Sequence, residues 1–404
     1  MTHMHHNSDH LELVSGRIED VDSSLPRKIF DPLVVNFLEK LSESILQNKS
    51  SREFGDLITF AYWCRGANLK RLASKYSSEA VRVGRGKTFH IAPANVPINF
   101  AFSLAFSMVS GNSNIVRLPS RHYPQVDLFI EIFESLKTDS SFQAIFKESC
   151  FVRYGHQDEI TELLSRDASC RIIWGGDATV DKIRSIRSAP RTIDISFVDR
   201  FSFAVVSAAQ LAELNVNEFS KLVEKFYIDS YLFDQNACSS PRIVVWVDPN
   251  NRFLDLRTRF WAQLDALSQD RYELESVHAI KKLTDLCIAA VSSDEISKLE
   301  KSSNYVYRVL LEKSPANVLS QSLAMGTFAE MVVSDLSEIS KFVSDKFQTM
   351  TYFGLKKDEL ISFVENEKLR GIDRIVPIGS ALDMDLIWDG YDLPLALSRV
   401  VDIR

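Results

Sequence analysis

Residues 87–118, KTFHIAPANVPINFAFSLAFSMVSGNSNIVRL, decide the fold class of this 404-residue chain. They consist of a short apolar stretch (TFHIA), a nearly continuous apolar run of helical length (INFAFSLAFSMVS) and a second β-forming stretch (SNIVRL). A strand, a helix and a strand in direct succession predict a βαβ crossover, which pairs the two strands in parallel and covers the sheet with the helix.

The same alternation continues downstream. We predict further strands at CFVRYG, CRIIWGG, RTIDISF and FSFAVVS, and helices at PQVDLFIEIFESLK, DEITELLSR and ATVDKIRSIR. Repeated units of this kind favour a mainly parallel sheet with helices on both faces. The sequence therefore predicts an α/β protein with a doubly wound, Rossmann-type lobe that contains all of these strands. Because single cores rarely grow beyond roughly 250 to 300 residues, we expect a second lobe as well.

Composition excludes several classes of protein. The 47 basic residues are dispersed and the net charge is −7, which argues against nucleic-acid binding. The five cysteines are widely spaced without a CxxC pair, so neither a disulfide framework nor a metal site is indicated. We find no signal peptide and no apolar run of about 18 residues, and therefore expect no membrane span and a reducing, cytoplasmic location.

Two loops at carboxyl ends of predicted strands suit a nucleotide. Gly175 and Gly176 lie between the strand CRIIW and a helix, where a backbone without side chains can approach a pyrophosphate. A plain turn explains the same pair. Arg117 ends the strand SNIVR, where a guanidinium suits a ribose phosphate, although a solvated surface arginine is the alternative.

Cys238 differs from the other four cysteines in its context. It lies in DQNACSSP (residues 234–241), a polar loop between a predicted helix, VNEFSKLVEKFYIDSYLF, and a predicted strand, RIVVWV. The other four lie within apolar patterns. Because thiolates react where they are accessible and close to hydrogen-bond donors, Cys238 is the candidate nucleophile.

Several motifs occur in one order: FHIAPANVP (89–97), SGNSNIVRLPS (110–120), a glycine pair after a strand, DQNACSSP and GIDRIVPIGSALDMDLIWDGYDL (371–393). This order resembles the aldehyde dehydrogenase superfamily, and in detail the LuxC-like acyl-CoA reductases, the reductase subunit family of fatty-acid reductase. The resemblance spans about residues 84–404. It implies an aldehyde dehydrogenase-like fold with a Rossmann-type cofactor lobe and a second α/β catalytic lobe.

The resemblance assigns roles to individual residues. Cys238 corresponds to the acyl-accepting nucleophile. Asn95 in PANVP corresponds to a side-chain donor to the oxyanion, although without the resemblance its position is typical of a turn residue. The backbone N–H of Cys238 would be the second donor. Arg117 stands where the family places a basic residue near the ribose, so we expect NADPH rather than NADH.

A departure from the superfamily pattern favours an aldehyde over an acid as the expected product. Oxidising members carry a glutamate base between the glycine loop and the cysteine, whereas this chain has DISFVDRFSF (194–203) without a glutamate. Asp194 and Asp199 are the carboxylates in that stretch, for which we expect surface positions. Without a base, water should attack the acyl-cysteine slowly. The acyl group would therefore remain on the cysteine until a hydride reduces it.

Four segments are expected: an N-terminal segment (1–50), an NADP-binding domain (51–230), a catalytic domain (231–385) and a C-terminal tail (386–404). The tail forms a possible interface, and its Trp388 and Tyr391 either line an acyl tunnel or pack in an interface or core.

The predicted activity is reduction of an acyl thioester, from acyl-CoA or an acylated partner protein, to an aldehyde. An acyl-activating ligase or synthetase is the partner the family suggests, together with a homo-oligomeric state. The alternatives are an enzyme of the same fold that acts on another activated carboxylate or oxidatively, and a non-catalytic acyl-binding subunit.

Overall fold

A computed structural model of the chain describes residues 11–76, 80–93, 96–155, 157–249, 251–292, 294–312 and 323–404. Its strands are β1 (Glu12–Ser15), β2 (Val81–Gly84), β3 (Lys87–Ile91), β4 (Ser113–Arg117), β5 (Ser149–Arg153), β6 (Cys170–Trp174), β7 (Ile193–Phe197), β8 (Phe201–Ser207), β9 (Pro241–Val247), β10 (Ile296–Lys301), β11 (Tyr307–Leu311), β12 (Thr327–Val333), β13 (Phe347–Phe353), β14 (Arg374–Pro377), β15 (Ile387–Trp388), β16 (Tyr391–Asp392) and β17 (Ser398–Val401). Its α-helices are α1 (Ile18–Asp22), α2 (Pro32–Gln47), α3 (Gly55–Trp63), α4 (Gly66–Ser74), α5 (Asn99–Val109), α6 (Pro124–Ser135), α7 (Gln143–Lys147), α8 (Asp158–Arg166), α9 (Asp177–Ser185), α10 (Ala208–Ala212), α11 (Val216–Tyr231), α12 (Leu254–Arg271), α13 (Ser276–Ser292), α14 (Ser337–Ser340), α15 (Lys357–Glu367) and α16 (Leu393–Ala396).

The chain divides into two compact units. The first contains the residues up to Val198 together with Met384–Arg404, and the second contains Asp199–Asp383. The second unit is therefore an insertion in the first. None of the helices in the described part of the chain combines the length and apolar composition needed to cross a bilayer.

The first unit is built on a six-stranded sheet in the order β1-β5-β4-β3-β6-β7. All neighbours pair in parallel except β1, which runs antiparallel to β5. Along β6, Cys170, Ile172 and Trp174 point into the core cluster under α2–α7, whereas Ile173 points into the cluster under α1, α8 and α9. Helices thus cover both faces, and the predicted doubly wound α/β lobe is confirmed.

The second unit has a seven-stranded sheet in the order β10-β11-β12-β9-β8-β13-β14, parallel except for the β10–β11 pair. Alternate residues of β9 again serve two cores: Ile243 and Val245 pack toward α13–α15, and Val244 and Trp246 pack toward α11 and α12. This unit is therefore a second α/β layer structure, as predicted.

One predicted strand belongs to the other sheet. We expected FSFAVVS to complete the first lobe beside RTIDISF, but β8 lies in the second sheet between β9 and β13. Its partners both follow it in the chain, and residues 198–200 are the whole connection from β7, so no break in the sequence marks the change of sheet. The boundary between the two compact units therefore lies after Val198, whereas the predicted cofactor domain extends to residue 230.

The two chain ends also differ from the predicted segments. Within residues 1–50, β1 joins the first sheet and α2 buries Val34, Phe37 and Leu41 in its core. At the other end, β17 pairs antiparallel with β2. Residues 11–50 and the tail are thus parts of the first unit, because each contributes sheet pairing or apolar surface to it.

Candidate active site

Cys238 is exposed in the loop between α11 and β9, as predicted. Cys64, Cys150 and Cys170 are buried, and burial raises the pKa of each thiol, to about 12 for Cys150 and Cys170. These three are chemically inert at neutral pH. Cys287 is exposed on α13, although it lies within an apolar pattern.

The residues leading to Cys238 have an unusual backbone. Asp234 and Gln235 both lie in the left-handed region, with φ of 53° and 60°, which is costly for residues other than glycine. We call residues 234–240 the cysteine turn. The hydroxyl of Tyr272 donates to the Asp234 carboxylate at 2.6 Å, which holds the start of the turn.

The side chain of Gln235 anchors the cysteine turn from inside. It is fully buried; its amide nitrogen donates to the carbonyls of Pro241 (2.9 Å) and Thr327 (3.2 Å). Its amide oxygen accepts from the backbone N–H of Gly326 at 3.0 Å. Three buried hydrogen bonds offset the cost of the strained backbone in the turn that carries Cys238.

Ser202, which the sequence did not single out, fixes the other side of the turn. Its buried hydroxyl donates to the carbonyl of Cys238 at 2.6 Å and accepts from the backbone N–H of Thr349 at 3.1 Å. Strand β8 and strand β13 are thereby linked to the cysteine through one hydroxyl. The sequence contains no local signal for this contact, because Ser202 lies in an ordinary β-forming run.

A cation accompanies the cysteine. Arg242, at the start of β9, is partly buried and interacts electrostatically with Cys238 and with the exposed Asp199. Burial lowers the pKa of this guanidinium, whereas the two acidic partners raise it. An exposed thiol beside a positive charge is an environment in which cysteines become nucleophilic.

The two carboxylates of residues 194–203, both expected at the surface, have different surroundings. Asp194 is not a free surface residue: its carboxylate accepts two hydrogen bonds of 2.7 Å from the buried guanidinium of Arg171. Asp199 is exposed, as expected. Both oxygens of the Asp194 carboxylate are thus engaged by one guanidinium in a bidentate ion pair.

Arg117 ends β4, as predicted, and is partly buried. Its guanidinium donates to the carbonyl of Gly155 and lies 4.3 Å from the ring centroid of Tyr154. These contacts hold the side chain beside the carboxyl end of the sheet and occupy one of its amino groups. The remaining donors of a five-donor guanidinium suffice for a phosphate.

Gly175 and Gly176 connect β6 to α9, also as predicted. A side chain at Gly176 would meet nothing within 4 Å, and one at Gly175 would lie 3.0 Å from Thr179. Gly176 is the N-cap of α9, so no N-cap side chain covers the N–H groups of the first turn. The space and the donors together fit a phosphate group. Asn95 lies outside the described residues.

A buried polar network joins β3, β4 and α5 inside the first unit. The ring of His90 contacts Ser103 Oγ at 2.8 Å through Nδ1 and Asn114 Oδ1 at 3.0 Å through Nε2. The Asn114 amide nitrogen donates to the carbonyl of Asn112, so its oxygen faces the ring and Nε2 must carry the proton. Burial lowers the pKa of His90 to about 4, and the ring is neutral.

The aromatic residues of the C-terminal tail pack internally. Trp388 is 6% exposed within the core cluster of the first unit. The ring of Tyr391 lies 6.0 Å from that of Phe197, which stacks on Trp174 at 3.8 Å. Of the two predicted roles, packing in a core is confirmed for Trp388.

Comparison with known proteins identifies the family. The profile of the acyl-CoA reductase (LuxC) family matches residues 37–401. The chain belongs to the LuxC acyl-CoA reductase family. This confirms the resemblance carried by FHIAPANVP, DQNACSSP and the C-terminal motif.

A curated relative of this LuxC-family chain is the long-chain acyl-protein thioester reductase of Photobacterium phosphoreum. The two are 24% identical over 277 residues, which cover 66% of this chain and 52% of the relative. The LuxC-family chain thus spans about half the length of the curated relative it matches.

Solved structures place the LuxC-family chain in the aldehyde dehydrogenase fold. A point mutant of 1-pyrroline-5-carboxylate dehydrogenase from Thermus thermophilus matches with a TM-score of 0.65 at 13% identity, over 96% of this chain and 84% of that one. Aldehyde dehydrogenase 21 from Physcomitrella patens, in complex with succinate, matches with a TM-score of 0.60 at 12% identity, over 92% and 83%. The predicted fold is confirmed.

Proposed function

We propose that this chain reduces an acyl thioester to an aldehyde with NADPH, through an acyl group carried on Cys238. The observation that supports this most directly is the exposed Cys238 on a turn fixed by Gln235 and Ser202, in a chain of the LuxC family. A surface cysteine without a role would not need three buried hydrogen bonds and a strained backbone to hold it.

The first half of the proposed cycle transfers the acyl group. The Cys238 thiolate attacks the thioester carbon, a carbon–sulfur bond forms to Cys238, and the bond to the leaving thiolate breaks. We assign Asn95 as a donor to the oxyanion of this step, following the family motif. Such donors typically lower the barrier by about 2.7 to 4 kcal/mol each.

The second half releases the aldehyde. When bound, NADPH supplies the hydride that reduces the acyl carbon. Cys238 then carries a thiohemiacetal, whose collapse breaks the carbon–sulfur bond, frees the aldehyde and restores the thiolate. A thiolate is a good leaving group, so Cys238 serves both halves of the cycle.

Two features of the first unit support the binding of a nicotinamide dinucleotide. Gly176 leaves open space at the start of α9 and puts no capping side chain over its first turn, where the diphosphate would be held. We assign Arg117 to the adenosine ribose, and propose NADPH rather than NADH because a guanidinium suits the additional phosphate.

Hydrolysis of the acyl-cysteine to the acid should be slow, because residues 194–203 contain no glutamate that could serve as a general base. General-base assistance contributes typically about 10² to 10⁴ in rate, and Asp194 is engaged with Arg171. We therefore propose that the acyl-cysteine persists until it is reduced.

The acyl donor is proposed to be acyl-CoA or an acylated protein. The name of the Photobacterium relative, an acyl-protein thioester reductase, supports the second. An acyl-activating ligase or synthetase would then supply that protein-bound acyl group, and a homo-oligomeric state is proposed with it.

The test compares Cys238→Ala with Cys287→Ala, the matched change at the other exposed cysteine. NADPH oxidation is followed by absorbance with a panel of acyl-CoAs, and aldehyde is measured as a trapped product. We expect Cys238→Ala to lose aldehyde formation by roughly 10³-fold or more, the usual order of magnitude for a lost nucleophile, and Cys287→Ala to retain it. Aldehyde formation by Cys238→Ala would contradict the proposal.

The two alternatives give different results in this assay. NADP⁺ reduction with aldehyde, without NADPH oxidation by any thioester, would indicate an oxidative enzyme. Acyl binding without turnover in either direction would indicate a non-catalytic acyl-binding subunit.

A further inference from the structure

Strand β8 loses register with β9 beside the cysteine turn. Ser202 pairs with Pro241, and the next residue, Phe203, pairs with Ile243, so Arg242 is an extra residue without a partner on β8. This is the pattern of a β-bulge. Bulges are rare between parallel strands and are used near active sites to redirect a side chain.

The opposite neighbour of β8 is irregular at the same place. Phe201 pairs with Phe347 and Phe203 pairs with Met350, so β13 also contains one more residue than β8. The hydroxyl of Ser202 lies between these two irregular stretches and bridges them to Cys238, as described above. The distortion is thus concentrated at the point where the sheet meets the nucleophile.

Arg242 is the extra residue of the bulge. Its guanidinium lies 5.7 Å from the ring centroid of Phe201. Within the described part of the chain it makes no ion pair within 4.0 Å. Partial burial of a charge is costly, and the acidic groups that offset this cost are Asp199 and Cys238.

We propose that Arg242, directed by the bulge in β9, is a positioning residue that stabilises the thiolate form of Cys238. This inference rests on the proposed function, in which the thiolate is the attacking species. A nearby opposite charge favours ionisation of a thiol because it interacts with the charged form alone.

The other charged groups around Arg242 leave it available for this role. Asp199 is exposed, and the Lys346 ammonium donates to its backbone carbonyl at 3.3 Å. Arg200 is paired with Asp373. Asp199 therefore competes with Cys238 for Arg242, and its removal should strengthen the effect on the thiol.

The experiment measures the pH profile of iodoacetamide alkylation at Cys238. The full chain carries Cys287→Ser, which leaves Cys238 as the exposed thiol among the described cysteines. We expect a midpoint below the roughly 8.5 of free cysteine. Arg242→Gln should raise it by about one unit, which is about tenfold less thiolate at neutral pH.

Three variants separate charge from structure. Arg242→Lys keeps the charge and should retain most of the effect, and Asp199→Asn should move the midpoint downward. Arg259→Gln is the matched control, because Arg259 also lies over a phenylalanine ring in the second unit, at 4.3 Å from Phe219. It should leave the midpoint unchanged.

Equal midpoints for Arg242→Gln and the parent protein would overturn the inference. If Arg242→Gln does not fold, the parent profile decides: a midpoint at or above about 8.5 overturns the inference, and a lower midpoint that falls further in Asp199→Asn supports it. Alkylation needs no substrate, so failure of both acyl-CoA and an acylated protein to acylate Cys238 would contradict the proposed function without affecting this result.

Discussion

At the scale of single residues, the side chain of Gln235 anchors the cysteine turn by hydrogen bonds. Its amide group satisfies two carbonyls and one N–H that are buried with it. No shorter side chain can reach all three, and a carboxylate cannot donate to the carbonyls.

Gln235→Ala should therefore destabilise the second unit and slow the chemistry. Leaving buried polar groups unpaired costs about 1–3 kcal/mol each, so we expect a loss of roughly 3 kcal/mol or more in the free energy of unfolding. Urea denaturation measures the stability, and acylation of Cys238 measures the rate. The exposed neighbour provides the control, Asn236→Ala. A loss below about 0.5 kcal/mol, the range of ordinary surface changes, would show that Gln235 does not anchor the turn.

The sequence predicted the exposed Cys238 but not the residues that position it. Polar neighbours around Cys238 are a local pattern, and local patterns are readable. Ser202 contacts it across 36 positions of chain, and the bulge at Arg242 depends on the register of three strands. The exposure of Cys287 was not readable from its apolar pattern, because α13 has exposed apolar residues that include Ile280 and Val291.

At the scale of elements, the contacts of His90 join β3, β4 and α5 through a neutral ring. The folded chain keeps this ring unprotonated down to a pH of about 4, because burial lowers the pKa of His90. The unfolded chain takes up the proton near about 6.5. Between these values the unfolded state binds more protons, so stability is lost as the pH falls.

Acid should therefore destabilise the first unit between about pH 6.5 and 4, by up to roughly 3 kcal/mol from this group alone. His90→Gln retains a hydrogen-bond donor and removes the titration, so its unfolding midpoint should depend less on pH. Thermal unfolding across this range provides the measurement. The exposed His122 supplies the control, His122→Gln, which should behave as wild type. Identical pH dependence in His90→Gln would contradict this account.

At the scale of the whole molecule, the tail after the inserted unit completes the first unit. The Asn112 side chain donates to the carbonyl of Leu397 at 3.0 Å, and Arg85 donates to that of Ala396 at 2.8 Å. Leu386, Trp388 and Leu393 are buried in the same core. The first unit is therefore incomplete until the end of the chain has been added.

Trp388→Ala tests the structural role of the tail. Removing a buried tryptophan typically costs about 3–5 kcal/mol, and we expect a loss of that size in the free energy of unfolding. Ile403→Ala is the control, since Ile403 is 74% exposed. A stable Trp388→Ala with an altered preference for acyl-chain length would instead support the tunnel role.

The predictable part of the fold was the alternation of strands and helices from β3 to β7, which follows local periodicity. The change of sheet between β7 and β8 was not predictable, because it depends on pairing with β9 and β13, strands that come later in the chain. The return of the tail to β2 is of the same kind.

The central claim is that Cys238 carries the acyl group on its way to the aldehyde. The most direct measurement is peptide mass spectrometry of the chain after incubation with acyl-CoA, first without and then with NADPH. We predict a single hydroxylamine-sensitive acyl group on Cys238 that disappears on addition of NADPH, with an equal amount of aldehyde formed. Aldehyde formed with no acyl group ever detected on Cys238 would contradict the account.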